Sequence, residues 1–209
     1  MNHTLRLIRH TLVAALAAIV IFPAHPGAQA ADLPHIVIIL ADDLGYGDPA
    51  CNNPESKIAT PNLDRLAREG LRFTDAHSPA SWCTPTRYGL LTGRYPFRTS
   101  LNWNREAVIE AGRLTLPAML GQHGYHTAMV GKWHLGFDAL QDRASVHQGG
   151  PIDRGFASWF GIPASLDIPP YYYIEGDRPV APPTGHIGDS SSRGWSPIQG
   201  AFWRAGGIA

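Results

Sequence analysis

The chain has 209 residues, with 17 lysines and arginines balanced by 17 aspartates and glutamates. Because neither sign of charge is in excess, no global field favours nucleic acid or an anionic membrane, and we expect neither partner. A chain of this length can bury one ordinary hydrophobic core, and no internal repeat or charge run divides it. The length and composition therefore indicate one ordinary globular domain.

Residues 1–30 have the organisation of a secretory signal peptide. Two arginines precede an apolar run over residues 11–22, and the small residues around 28–30 fit a signal-peptidase cleavage site. The apolar run is too short to span a bilayer, so an uncleaved membrane anchor is the less favoured alternative. We expect a secreted or periplasmic protein with no stable membrane insertion after cleavage, whose mature chain is residues 31–209.

The rest of the chain alternates between predicted strands and helices. A continuous apolar run over residues 35–40 is typical of a strand that is covered on both faces. The later predicted elements are, in chain order, a helix from Thr60-Pro61 to Gly70, a strand over 71–76, a helix from Cys83 to about Gly93, a short helix after Thr115-Leu116-Pro117 and a strand over 125–130. This order predicts an α/β fold, in which a mostly parallel or mixed sheet is sandwiched by helices.

Polar residues follow two of the predicted strands, where the sites of such folds lie. Asp42 and Asp43 come after the first strand, and adjacent carboxylates either diverge into solvent or are held together by a hard divalent cation. Lys132 and His134 come after the third strand, and in an extended segment they point to one side while Trp133 points to the other. Solvated aspartates, a surface lysine and a core histidine are the ordinary alternatives.

The segment Cys83-Thr84-Pro85-Thr86-Arg87 predicts a helix start that carries potentially reactive side chains. Proline is favoured at the first helical position, and the four-residue spacing puts Arg87 on the same face as Cys83. Free N–H groups at a helix start, together with a guanidinium, suit a tetrahedral oxyanion. Two other interpretations of Cys83 stay open: a small buried hydrophobe, or a disulfide with Cys51.

Three sequence blocks resemble the signatures of one enzyme family. They are SWCTPTRYGLLTGRYP at residues 81–96, IILADDLGYGD at residues 38–48 and GKWHLG at residues 131–136. All three resemble segments of the type I sulfatases, which belong to the alkaline-phosphatase-like superfamily. The resemblance extends roughly from residue 33 to residue 177 and implies a sulfatase-like α/β fold that hydrolyses aryl or carbohydrate sulfate esters.

The resemblance also implies roles for individual residues. Cys83 would be oxidised by a formylglycine-generating maturation enzyme to formylglycine, whose hydrate offers one hydroxyl to attack sulfur and another to expel the sulfate. Asp42 and Asp43, with a hydroxyl of residue 83, would bind Ca²⁺ or Mg²⁺. Arg87 and Lys132 would neutralise charge on the sulfuryl oxygens, Lys132 also binding the substrate, and His134 would be a proton-transfer partner.

Two further motif residues have weaker assignments. The segment GIPASLD, residues 161–167, resembles a sulfatase segment that supplies a substrate-contacting serine, so Ser165 is a candidate and Asp167 a weaker one. Both are equally well explained as turn residues. Arg94 belongs to the block around Cys83, where it would support the loop structurally or help to display the motif to the maturation enzyme.

The chain departs from the family pattern after residue 177. Family members carry a second metal-ligand pair, a histidine and a lysine later in the chain, and none is recognisable there. Asp42, Asp43 and one hydroxyl also fall short of the ~6 to 8 oxygen ligands that Ca²⁺ takes. We therefore interpret residues 31–209 as the N-terminal part of a sulfatase catalytic domain, incomplete at its C-terminus. The rivals are a phosphate- or phosphonate-ester hydrolase of the same superfamily, and an inactive remnant or non-catalytic binder of sulfated glycans.

Overall fold

A computed structural model describes residues 33–100, 106–138, 146–188, 190–191, 203–204 and 207–208. The predicted signal peptide over residues 1–30 lies outside these residues. The chain divides into two compact units, Met1–Ile38 and Ile39–Ala209, and every helix and strand described below belongs to the second. Within the described residues, no helix is both long enough and apolar enough to cross a membrane.

In the described part of the chain, three α-helices form where the sequence predicts them. They are α1 (Pro61–Glu69), α2 (Cys83–Thr92) and α3 (Leu116–Gln122), and short 3₁₀ helices lie at Pro96–Arg98 and Ile152–Arg154. Helix α3 begins at a capping residue, since the Thr115 side chain accepts a hydrogen bond from the N–H of Ala118 at 3.3 Å. Helix α2 ends at Gly93, whose φ of 65° is the left-handed conformation that glycine adopts without strain.

Helix α2 starts at Cys83 as predicted, but Pro85 does not occupy the expected position within it. The helix begins at Cys83 itself, after Trp82 in an extended conformation, so Pro85 is its third residue and not its first. The position still tolerates proline, because the first N–H groups of a helix have no intrahelical acceptor. Cys83 therefore occupies the first helical position.

The main sheet has four strands in the order β1-β2-β3-β4. They are β1 (Ala128–Lys132), β2 (Ser158–Ile162), β3 (Ile174–Glu175) and β4 (Arg178–Pro179). Strands β1 and β2 are parallel, whereas the β2–β3 and β3–β4 pairs are antiparallel. Two short antiparallel ribbons pair β5 (His186–Ile187) with β8 (Gly207–Ile208), and β6 (Ser190–Ser191) with β7 (Trp203–Arg204). The mixed sheet with helices confirms the predicted α/β class, although among the described strands only one pair of this sheet is parallel.

Two strand predictions are wrong for this structure. Residues 35–40 and 71–76 form no strand, although both segments are described. Their apolar side chains are largely exposed, with Ile39 at 85 % and Leu71 at 80 %. A continuous apolar run becomes a buried strand only when neighbouring strands and covering helices are present, and among the described residues neither segment has a partner strand. The third predicted strand is present but begins three residues later than expected.

The core lies beside the end of β1 and the middle of α2. Every second residue after β1 belongs to this core. These residues are Trp133, Leu135 and Phe137, and all three are almost fully buried. The other buried members of this cluster are Tyr88, Ile109, Trp159, Tyr172 and Ile174. Trp133 lies between Lys132 and His134 in the sequence, and Tyr88 directly follows Arg87. Core packing of Trp133 and Tyr88 therefore fixes the backbone at Lys132, His134 and Arg87.

The parallel pair β1–β2 depends on glycine at its close approach. Gly161 lies opposite Gly131, and a Cβ built on Gly161 would lie 1.8 Å from the carbonyl oxygen of Gly131. The same carbonyl accepts a hydrogen bond from the Trp159 indole nitrogen at 3.2 Å. A side chain at residue 161 would therefore separate the two strands that carry Lys132 and Ile162 at their ends.

We expect Gly161→Ala to lower the free energy of unfolding by about 2 kcal/mol or more, because overpacking of this kind forces backbone shifts. Gly121→Ala is the matched control: Gly121 lies in α3 with open space around a built Cβ, and alanine there should be neutral or stabilising by up to about 1 kcal/mol. Urea unfolding followed by circular dichroism measures both. Equal midpoints for Gly161→Ala and the native chain would contradict the packing described here.

Candidate active site

Two hydrogen bonds attach the first five residues of α2 to the end of β1 and the segment that follows it. The hydroxyl of Thr84 donates to the carbonyl oxygen of His134 at 2.9 Å, and Nη1 of Arg87 donates to the carbonyl oxygen of Lys132 at 2.6 Å. Residues 83 and 87 lie one helical turn apart, on one face of α2. The helix start and the end of the strand therefore meet, and their functional side chains meet with them.

A cluster of charged groups surrounds the thiol of Cys83. Nζ of Lys132 lies 2.9 Å from Oδ2 of Asp42 and 3.2 Å from Sγ of Cys83. Nη2 of Arg87 lies 3.6 Å from the same Asp42 oxygen. The side chains of Lys132 and Arg87 are only 11 % and 12 % exposed, whereas that of Asp42 is 44 % exposed. Two nearly buried cations thus face a thiol and a carboxylate, in a site that is open to solvent at Asp42.

The protonation states follow from this arrangement. Partial burial raises the pKa of Asp42, but the hydrogen bond and charge of Lys132 and the charge of Arg87 outweigh it and bring the pKa below its usual value. Burial lowers the pKa of Arg87, which nonetheless stays cationic. Burial, and then the charges of Lys132 and Arg87, lower the pKa of His134 from 6.5 to about 4. At neutral pH the site therefore holds two cations and a neutral imidazole.

Asp42, Asp43 and Cys83 could hold one metal ion. One donor atom from each residue lies within 4.8 Å of the others. Asp43 has a φ of 59°, a left-handed conformation that aspartate tolerates better than most residues. The two carboxylates suit a hard divalent cation, whereas the sulfur of an unmodified cysteine does not. The donor set fits such a cation through its carboxylates, and an oxygen in place of sulfur at residue 83 would make the set uniform.

The segment after β1 follows the predicted alternation for two residues and then departs from it. Lys132 points to the charged cluster and Trp133 into the core, as an extended strand requires. His134 has a φ of 55°, outside the extended region, so the predicted common side for Lys132 and His134 does not follow from strand geometry. Its N–H donates to the carbonyl oxygen of Pro163 at 2.9 Å, which ties this segment to the turn after β2.

Ser165 lies in that turn but makes a local contact. Its hydroxyl donates to Oδ1 of Asp167, and its carbonyl oxygen accepts from the N–H of Ile168 at 3.2 Å, as in an ordinary turn. Asp167 acts on His134 through its charge, which opposes the lowering of the histidine pKa. The turn therefore lies on the His134 side of the site, and a substrate contact of Ser165 stays a prediction.

The disulfide alternative does not match the structure, in which both cysteine thiols are free. The backbone N–H of Cys51 donates to Oδ1 of Asp64 in α1 at 2.8 Å. That carboxylate also accepts from the hydroxyl of Thr60 at 3.2 Å. Cys51 thus belongs to the start of α1, while Cys83 belongs to the charged cluster.

Sequence reasoning missed a carboxylate that supports α2 from behind. Glu110 lies 2.9 Å from Nη1 of Arg94, and its two oxygens lie 3.3 and 3.4 Å from the hydroxyl of Tyr88. Arg113 contacts it as well, at 3.3 Å. The structural role expected of Arg94 is consistent with these contacts. Glu110 lies outside the three sequence blocks, and nothing in the sequence around it indicates this role. Thr84 was also missed, although it stands inside the motif, because a threonine at a helix start does not by itself indicate a long-range contact.

Comparison with known proteins identifies the family. The family model described as Sulfatase matches residues 34–186. Arylsulfatase G of Mus musculus is 48 % identical over 147 residues, covering 68 % of this chain and 26 % of the relative. An N-acetylgalactosamine-6-O-sulfatase of Bacteroides thetaiotaomicron is 39 % identical over 161 residues, covering 73 % of this chain and 31 % of the relative. The chain thus spans about a quarter to a third of the length of these relatives.

A solved structure agrees in fold. It was determined within work on the metabolism of multiple glycosaminoglycans by Bacteroides thetaiotaomicron, and it superposes with a TM-score of 0.62 at 39 % identity, over 66 % of this chain and 30 % of that one. The region matched by the family model contains the charged cluster, the two aspartates and the turn at Ser165. Because that model covers most of the chain and solved and curated relatives agree with it, this chain belongs to the sulfatase family and contains part of its alkaline-phosphatase-like fold.

Proposed function

We propose that this protein hydrolyses sulfate esters. The observation that carries the proposal is the position of Cys83 at the first residue of α2, with the ammonium group of Lys132 3.2 Å from its sulfur. Arg87 stands on the same helical face, held by the carbonyl of Lys132. A sulfuryl group that reacts at residue 83 would meet two nearly buried cations. Preorganised donors of this kind are each worth about 3 to 4 kcal/mol to a transition state.

The proposal includes a modified residue and a metal ion. Formylglycine at residue 83 would supply a hydrated aldehyde, and hence a nucleophilic oxygen with a built-in release step, in place of the thiol. A divalent cation, Ca²⁺ or Mg²⁺, would be held by Asp42 and Asp43 and would withdraw charge from the same sulfuryl oxygens. The matched motif around Cys83 and the carboxylate donor set support this, and a maturation enzyme is then the protein's processing partner.

Each protein side chain has a separate part in the proposed reaction. Lys132 and Arg87 bind and orient the sulfuryl oxygens, and their contact with Asp42 keeps both cations in place before the substrate arrives. His134 is neutral at physiological pH, near the charges of Lys132 and Arg87, and in that form it can accept a proton. Its buried Nδ1 has no hydrogen-bond partner among the described residues.

The proposed substrates are aryl or carbohydrate sulfates. Relatives are named arylsulfatases and N-acetylgalactosamine-6-O-sulfatase, and the solved structure belongs to glycosaminoglycan metabolism. A secreted or periplasmic location is part of the proposal, since residues 1–30 resemble a signal peptide and extracellular sulfated glycans would then be accessible.

Paired model esters test the activity. The full-length protein that contains this chain, co-expressed with a formylglycine-generating enzyme, is assayed with 4-nitrophenyl sulfate, 4-nitrophenyl phosphate and N-acetylgalactosamine 6-sulfate. We expect turnover of a sulfate ester to exceed that of the phosphate. Faster phosphate hydrolysis would favour the phosphatase rival. Binding of the sulfated sugar without turnover, in protein that carries formylglycine, would favour a non-catalytic binder.

Cys83→Ala should reduce sulfate-ester turnover by about 10³-fold or more, because it removes the nucleophile while the binding groups remain. Peptide mass spectrometry of the native protein should find an aldehyde in place of the thiol at residue 83. Cys51→Ala is the matched control, and we expect it to leave turnover unchanged. Active protein whose residue 83 is entirely unmodified thiol would refute this part of the mechanism.

Lys132→Met and Asp43→Asn should separate charge stabilisation from metal binding. Lys132→Met keeps the apolar stem and removes the cation, so turnover should fall about 100-fold or more. Its metal content should be unchanged, since the variant removes only a competitor for Asp42. Asp43→Asn should lose both turnover and metal, the latter measured by plasma mass spectrometry. The control is Lys57→Met, at an exposed lysine outside the cluster. Equal metal loss in the Lys132 and Asp43 variants would contradict the assignment.

The neutral state of His134 has a consequence for stability in the absence of metal. The unfolded chain takes up this proton near pH 6.5, whereas the folded chain takes it up only near pH 4. As the pH falls through this interval, the unfolded state binds a proton that the folded state does not, so the free energy of unfolding decreases.

His134→Gln should therefore weaken the pH dependence of unfolding, by at most one proton, in urea titrations between pH 7.5 and pH 5. Burial also lowers the pKa of His147, so part of the dependence should remain. His126→Gln, at an exposed histidine, is the matched control for the loss of an imidazole. An unaltered pH dependence in His134→Gln would show that the ring is not held neutral by the fold.

A further inference from the structure

The backbone of His134 is held in an unfavourable conformation. Its φ of 55° lies in the left-handed region, which is disfavoured for a residue with a side chain. Such a conformation persists only when surrounding contacts determine it, and strain of this kind is concentrated at functional sites. The contacts that fix His134 therefore bear directly on where its imidazole lies.

Two hydrogen bonds hold the residue, one on each side. Its N–H donates to the carbonyl oxygen of Pro163 at 2.9 Å, and its carbonyl oxygen accepts from the hydroxyl of Thr84 at 2.9 Å. The first contact ties His134 to the turn after β2. The second ties it to the first turn of α2, at the residue directly after Cys83.

The Thr84 contact is part-buried, with its donor side out of solvent. Thr84 is 5 % exposed and His134 is half-buried, so water has restricted access to a carbonyl that lost this donor. The imidazole offers no substitute anchor at Nδ1, because that atom is buried and has no hydrogen-bond partner among the described residues. The ring position thus depends on its backbone anchors, and of these the Thr84 hydroxyl belongs to the helix that carries Cys83.

We propose that Thr84 is a positioning residue: its hydroxyl holds the left-handed backbone of His134 in register with residue 83, so that the imidazole faces the reacting group. The inference rests on the proposed function, because the alignment matters for catalysis only if residue 83 and His134 react with a sulfate ester. Thr84 itself touches neither the substrate nor the reacting atoms in this account.

A pair of substitutions at Thr84 tests the role of the hydroxyl alone. Thr84→Val is close to isosteric and removes the donor, whereas Thr84→Ser keeps it. We expect Thr84→Val to lower kcat by about 10- to 100-fold, the range typical of a displaced catalytic group, while KM changes much less. Thr84→Ser should restore most of kcat. Rates are divided by the formylglycine content from peptide mass spectrometry, since residue 84 lies inside the motif that is processed.

Thr92→Val is the matched control on the same helix. The hydroxyl of Thr92 donates to the carbonyl oxygen of Tyr88 at 2.7 Å, so the variant also removes a threonine hydrogen bond from α2 without touching His134. We expect its kcat and KM to match those of the native protein. If Thr84→Val does not unfold cooperatively, Thr84→Ala takes its place, because it leaves room for a water at the freed carbonyl.

A second measurement needs no turnover. The ring resonance of His134, assigned by its loss in His134→Gln, should shift in the ¹H–¹³C spectrum of Thr84→Val and stay in place in Thr84→Ser and Thr92→Val. If the native protein hydrolyses no sulfate ester, the proposed function fails, and this spectrum still decides the contact. Native-like kcat and resonance in Thr84→Val, or equal defects in the Thr84 valine and serine variants, would overturn the inference.

Discussion

The candidate site depends on the junction between the first turn of α2 and the end of β1. Two short hydrogen bonds make it, from Thr84 to the carbonyl of His134 and from Arg87 to the carbonyl of Lys132. Both donors are side chains of the helix and both acceptors are main-chain atoms of the other segment. Thr84 is next to Cys83 and Arg87 is one helical turn from it, so each contact joins the surroundings of Cys83 to a residue with a functional side chain. A shift of the helix would therefore displace all of these side chains relative to one another.

Electrostatics and burial act in opposition within this junction. Lys132 and Arg87 lose hydration when they are buried, and Asp42 compensates for that loss through contacts at 2.9 and 3.6 Å. Asp42 keeps its own exposure to solvent, and so it remains available to a cation with Asp43. The imidazole of His134 lies near both cations and stays neutral. The same arrangement that stabilises two buried cations thus prepares a positive surface for an anionic group.

Support for this junction extends well behind the site. Glu110 engages Tyr88 and Arg94 near the C-terminal end of α2, while the N–H of Val108 donates to the carbonyl of Leu135 at 2.8 Å. Residues 108–110 therefore connect the helix to the segment that contains His134. Residues 108–110 lie in no recognisable motif, and their supporting role is visible only from the contacts that they make.

The sequence by itself determined the family, the three helices, the mixed α/β class and the identity of the candidate site residues. Each of these depends on local signals: caps, proline and glycine punctuation, and motif blocks with definite order. The strands predicted from the apolar runs at 35–40 and 71–76 are wrong, because whether such a run becomes a strand depends on neighbouring segments elsewhere in the fold. Tertiary structure alone decided that Lys132 contacts both Asp42 and Cys83, that His134 leaves the extended conformation and that Thr84 holds it. These outcomes depend on distances between segments about 40 to 90 residues apart in sequence, which periodicity and spacing do not encode.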